Sequence, residues 1–111
     1  MRGDRERLFD IPDAIEKIEE RAAVGQAEFM EDELIQVWCV HHIQIIGEAA
    51  ANISLSIRDR YSHIPWQDII AMRNVLVHQY FGIDYQEIWN AVNVDIPLLK
   101  DHIEGILYDF V

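Results

Sequence analysis

Cysteine occurs once in these 111 residues, proline three times and glycine five times. A lone Cys39 permits no internal disulfide and fits a reducing cytoplasm, where a small buried thiol is the ordinary use of such a residue. Asn-Gly and Asp-Gly pairs are missing, and so is any sustained apolar/polar alternation. Hairpins, and the sheets built from them, are therefore not expected. No run of about 18 apolar residues is present to span a bilayer. The opening MRGDRERLFD is charged where a secretory leader would be apolar, so no signal peptide is expected. Positive charge is scarce as well, with nine Lys and Arg against twenty acids and a net charge of −11. That balance excludes a protein that coats nucleic acid through phosphate neutralisation alone.

The scarcity is uneven. Residues 1–54 hold five Lys/Arg against twelve acids, residues 81–111 one against six, and residues 55–80 three arginines against two acids. Only the middle stretch lets an anion approach without net repulsion.

What the chain has in abundance is the helical period. DIPDAIEKIEERAAVG predicts a first helix with Asp10 as N-cap and Pro12 in its first turn, an Ile11, Ile15, Ile18 and Ala22 stripe, and a stop at Gly25. From about Glu31 to Ile53, Leu34, Val37, Trp38, His41, Ile45, Ala49 and Ile53 recur at three- and four-residue steps, and Gly47 marks a close helix crossing. LSIRDRYSHIPW reads as a short turn capped by Ser56, followed by a loop at Pro65. A third long helix runs from Trp66 or Gln67 to His78 or Gln79 and stops at Gly82. Asp84 with Glu87 makes a capping box for a last helix carrying Ile88, Trp89, Val92, Ile96, Leu99, Ile103, Ile106 and Leu107, kinked near Asp95 by Pro97. The expectation is a single domain over 1–111, an all-α antiparallel bundle of four to five helices.

Within this frame AMRNVLVHQYFGID stands out, because Arg73, Asn74, His78 and Tyr80 interrupt an otherwise apolar helix. Buried polar groups must be paired or used. Asn74 and His78 are four apart and share a helix face, and Arg73 lies roughly 140° from His78, a gap that a long arginine arm closes. A guanidinium holds two phosphate oxygens in a fixed fork, and an imidazole moves a proton near neutral pH. Cleavage of RNA by its own 2′-hydroxyl needs these parts: a base, positive charge for the phosphorane and an acid for the leaving 5′-oxygen. One histidine does not easily serve both ends, so a homodimer with two copies of His78 and Arg73 would complete the site. No metal or other cofactor is needed for this chemistry. A polar dimer interface without catalysis is the plainer account of the same spacing.

The segment RNVLVHQY resembles the R-x4-H-x-Y motif of HepT-like toxins in the HEPN superfamily. RERLFDIPDAIEKIEE, IIGEAAANIS, IPWQDIIAMRN, YFGIDYQEIW and VDIPLLKDHIEGIL are similar to that family in the same order, so the resemblance covers nearly the whole chain. Pro12 and the Trp38, Cys39, His41 and His42 of QVWCVHHIQ depart from it without touching the motif. The resemblance implies a HEPN-like helical homodimer in the cytoplasm, acting as a metal-independent ribonuclease toxin on RNA, with tRNA one candidate target. Arg73 and His78 would be catalytic and Asn74 a supporting polar group. The implied partner is a small MntA-type nucleotidyltransferase antitoxin of a type VII system, which would transfer AMP from ATP to Tyr80 and could assemble with the dimer into a larger complex. An AMP two residues from His78 would add bulk and negative charge where RNA phosphate belongs.

Two rivals stand beside this reading. A HEPN domain also serves as a non-catalytic nucleotide-binding or accessory subunit of a nucleotidyltransferase, in which case Arg73 and His78 only hold a phosphate. Cys39 and His42, three apart, make at most half of a metal site, and no further pair completes them; a core cysteine and surface or interface histidines are the default. Glu48 fits a structural bond or a place near the dimer site. Trp38, Trp66 and Trp89 read as core or interface anchors. Arg58, Arg60 and His63 read as surface charge before they read as an RNA guide.

Overall fold

Apolar side chains at three- and four-residue steps settle the architecture, which a computed structural model describes for residues 3–78 and 82–110, leaving out the side chains of 75–78 and 110. The elements are α1 (Asp4–Ala22), α2 (Gln26–Glu31), α3 (Glu33–Asn52), α4 (Leu55–Arg60), α5 (Trp66–His78), α6 (Tyr85–Asn90), a π-helical turn (Ala91–Asp95) and α7 (Ile96–Phe110). No strand occurs among the described residues, and the molecule is an all-α, HEPN-like bundle. No helix among them is long and apolar enough to cross a membrane.

The central helix is α3, which packs on α1 along one side and on α5 along another, while α7 closes over α1. Leu8, Ile11, Ile15 and Ile18 of α1 meet Cys39, Ile43, Ile46 and Ala50 of α3, with Phe29, Ile103 and Ile106 completing the core. Gly25 takes φ +94° between α1 and α2, a conformation that favours glycine. The buried Gln36 amide donates to the Phe29 and Met30 carbonyls at 3.0 and 3.1 Å, which satisfies the open end of α2.

Helix α1 begins six residues before the expected Asp10 cap, so Pro12 sits inside it rather than in its first turn. Burial of Leu8 and Ile11 before the proline and Ile15 and Ile18 after it outweighs the lost hydrogen bond. The early start is tied down by Asp4, whose carboxylate accepts from Ser54 N and Ser54 Oγ at 2.8 Å each, and by Arg7, whose Nη1 donates to Asn52 O at 2.9 Å. Ser54, not Ser56, caps α4, accepting from Ile57 N at 3.4 Å. The expected Leu34, Val37 and His41 stripe is corrected too: Leu34 and Val37 are 82% and 54% exposed and His41 is exposed, whereas the stripe one residue round, Cys39, Ile43, Ile46 and Ala50, faces the core. Helix α3 is apolar on several sides, and Ala49 and Ile53 of the expected stripe are buried together with the second one. The kink at Pro97 takes the form of the π-helical turn, in which Ile96 N donates to Ala91 O five residues back.

Candidate active site

Helix α5 is set by its first turn. Trp66 is buried and its Nε1 donates to the Tyr61 carbonyl at 3.2 Å, while Ile69 N bonds to Pro65 O at 3.2 Å, so the helix starts directly after the loop. It then lies on α3. Where the two cross, Gly47 faces Arg73. A methyl at position 47 would overlap Arg73 Cβ, stand 2.9 Å from its Cγ and 3.3 Å from the Ile69 carbonyl oxygen. The crossing is thus too close for a side chain at position 47 without a shift of α5, as the sequence indicated.

The half-buried Arg73 directs its guanidinium along α5, and Nη1 donates to Asn74 Oδ1 at 3.3 Å. This bond joins the motif arginine to the polar residue beside it. Gln67, Ala71 and Asn74 form an exposed stripe along α5, and position 78 continues it by spacing. His78 is the last residue of α5; its side chain, and Tyr80 altogether, lie outside the described residues. Below the helix, an apolar cavity of about 230 Å³ between α3, α5 and α7 is lined by Ile43, Ile46, Ile69, Met72, Ile96 and Leu99, with Asp68, Asp95 and His102 also on its wall.

The remaining candidates fall elsewhere. Cys39 is wholly buried, and that burial pushes its thiol up to about 11, so it is protonated and inert near neutral pH. His42 is buried, not at the surface, because it shares the core-facing side of α3; its Nδ1 lies 2.8 Å from Trp38 O, with the Trp38 and His41 rings packed at 4.5 and 4.9 Å. Among the described residues no three His, Cys, Asp or Glu side chains are grouped to hold a metal ion. Glu48 is exposed and lines a polar crevice with Arg7, Asp10 and Asn52, between α1 and α3. Trp38 donates to the Lys17 carbonyl at 2.7 Å and Trp89 packs on Phe29 at 5.2 Å, so both anchor the bundle. Arg60 lies over the Tyr61 ring, and His63 packs against His102 at 5.3 Å. The Tyr61 hydroxyl donates to Asp109 at 2.8 Å, and this bond raises the phenol above its usual range. What residue-by-residue reading did not extract is the direct contact of Gly47 with the arginine itself, although a glycine inside a long helix was its visible signal.

The family model described as ribonuclease HepT-like matches residues 11–106. A candidate RNase of Methanocaldococcus jannaschii is 35% identical over 98 residues, covering 87% of this chain and 90% of that protein. A candidate ribonuclease HepT of Thermococcus cleftensis is 38% identical over 106 residues, 95% of this chain and 96% of its own length. A candidate RNase of Caldanaerobacter subterraneus is 34% identical over 90 residues, 81% of this chain and 80% of that one. No solved structure matches.

Proposed function

Because this chain belongs to the HepT-like ribonuclease family, we propose that it cleaves RNA without a metal ion, at a composite site formed by Arg73, Asn74 and His78 of two copies of the chain. The observation that carries the reading is the Arg73–Asn74 pair, held on the helix that ends at His78 and in the one stretch of the chain that is not acidic. The exposed Gln67, Ala71 and Asn74 stripe leaves that helix face open to a second copy.

In this reading His78 accepts the proton of the 2′-hydroxyl as its oxygen bonds to phosphorus. The Arg73 fork neutralises the equatorial oxygens of the phosphorane, and Asn74 holds that fork in line through its side-chain oxygen. The O5′–P bond breaks as the partner subunit's His78 gives its proton to the leaving oxygen, which yields a 2′,3′-cyclic phosphate and a 5′-hydroxyl. The protein acts as the toxin of a pair whose antitoxin is an MntA-type nucleotidyltransferase. The antitoxin directs the Tyr80 phenol oxygen to the α-phosphorus of ATP, pyrophosphate leaves, and the AMP so attached fills the place of the RNA phosphate with its own negative charge.

Incubation of RNA with the protein in excess EDTA tests this directly. Cleavage with cyclic phosphate ends is expected, as is its loss when the nucleotide at the cut carries a 2′-deoxy sugar. Cleavage only after a divalent ion is restored, or equal cleavage of the deoxy substrate, would contradict it. A chain that binds nucleotides but leaves RNA intact in every condition would instead be an accessory subunit.

A further inference from the structure

We infer that Gly47 is a positioning residue for the reaction: it is the seat on α3 against which the stem of Arg73 rests, and its missing side chain sets where the guanidinium stands. The inference rests on the ribonuclease reading for Arg73. Gly47 is buried inside α3, where glycine costs helix stability relative to alanine, and it adopts no positive φ that would call for glycine. Its reason is therefore spatial. An added Cβ would meet Arg73 Cβ head-on and approach Cγ to 2.9 Å. Cβ is fixed to the α5 backbone and only Cγ turns with χ1, so no side-chain rotation relieves the Cβ overlap and the helix itself must move. Displacing α5 carries the Arg73 fork and its bond to Asn74 away from the line of attack, and a misplacement of about 1 Å is enough to cost about 10²-fold in rate.

Gly105 supplies the control, since it also lies inside a helix but a Cβ there meets nothing within 4 Å. Four variants are compared with wild type: Gly47→Ala, Gly105→Ala, Arg73→Gly, and Gly47→Ala combined with Arg73→Gly, which moves the glycine from one helix to the other. Gly105→Ala should melt at or above wild type and cleave RNA at the wild-type rate. Gly47→Ala should melt lower and, assayed well below its own melt, lose about 10²-fold in kcat with KM little changed. In the Arg73→Gly background the same Gly47→Ala change should no longer lower the melt, because the two nearest atoms are gone and the next, the Ile69 carbonyl oxygen, stands at 3.3 Å. If Gly47→Ala does not fold, recovery of the fold by the swapped pair supports the seat by itself. A Gly47→Ala enzyme with wild-type kcat, a loss confined to KM, or a swapped pair that melts no higher than Gly47→Ala would each overturn the inference. The melts probe the seat whether or not RNA is cleaved, whereas a wild-type chain that leaves RNA intact speaks against the ribonuclease reading alone.

Discussion

Arg73 and Asn74 are adjacent in sequence, and the structure joins them through one hydrogen bond of 3.3 Å, which in the proposed reaction holds the fork for the phosphate. Alanine at position 73 or 78 should therefore lower RNA cleavage by about 10² to 10⁴, the usual size of losing a proton shuttle or phosphorane stabilisation. Both variants should melt close to wild type. A large drop in melting temperature would make the polar cluster a structural feature. Cys39 offers a separate check by titration. Its thiol is held protonated up to about 11 in the folded chain against an ordinary 9.0, so the folded state binds the proton more tightly than the unfolded one. The resulting stability is whole below about pH 9 and is lost as pH rises through that window. Wild type should lose melting temperature more steeply between those values than Cys39→Ala, and equal slopes would contradict the burial argument. At this scale the sequence exposed the motif residues, whose polarity breaks an apolar helix. It did not expose the burial of His42, because α3 is apolar on several sides and either stripe satisfies the period.

Elements were legible where a stripe and a break signal coincide, as in α5, whose start at Trp66 falls where the periodicity placed it and which the structure describes as far as His78. They were misread where a tertiary contact overrides a local signal. Asp10 looks like a cap, yet Asp4 and Arg7 bond to the α3–α4 junction and carry α1 seven residues further towards the N-terminus, with Gly3 as its cap. Pro12 is therefore interior, and Pro12→Ala should raise the melting temperature, since an interior proline stands up to about 3 kcal/mol below alanine in helix propensity. No rise would mean that α1 is bent around the proline in a way the rest of the bundle requires. The start of α3 rests on Asp32, whose carboxylate accepts from Leu34 N and Ile35 N at 2.9 and 3.3 Å. Asp32→Ala should cost about 0.5–2 kcal/mol in a denaturant titration, with RNA cleavage unchanged at temperatures where the variant is folded.

For the molecule as a whole, the acidic surface and the near-neutral middle stretch give the same picture as the fold. Net negative charge falls on both sides of the stretch that holds half-buried Arg73 and exposed Asn74. One His78 leaves the reaction without either its base or its acid, so the active species should be a dimer. Light scattering at micromolar concentration should return twice the chain mass of 13.0 kDa. A monomer that still cleaves RNA would remove the composite site. The central claim is tested most directly by single-turnover cleavage of RNA in EDTA with enzyme in excess, wild type beside His78→Ala. The account predicts full conversion by wild type and a rate at least about 10²-fold lower for the variant, with RNA binding retained. Equal rates for the two would contradict it.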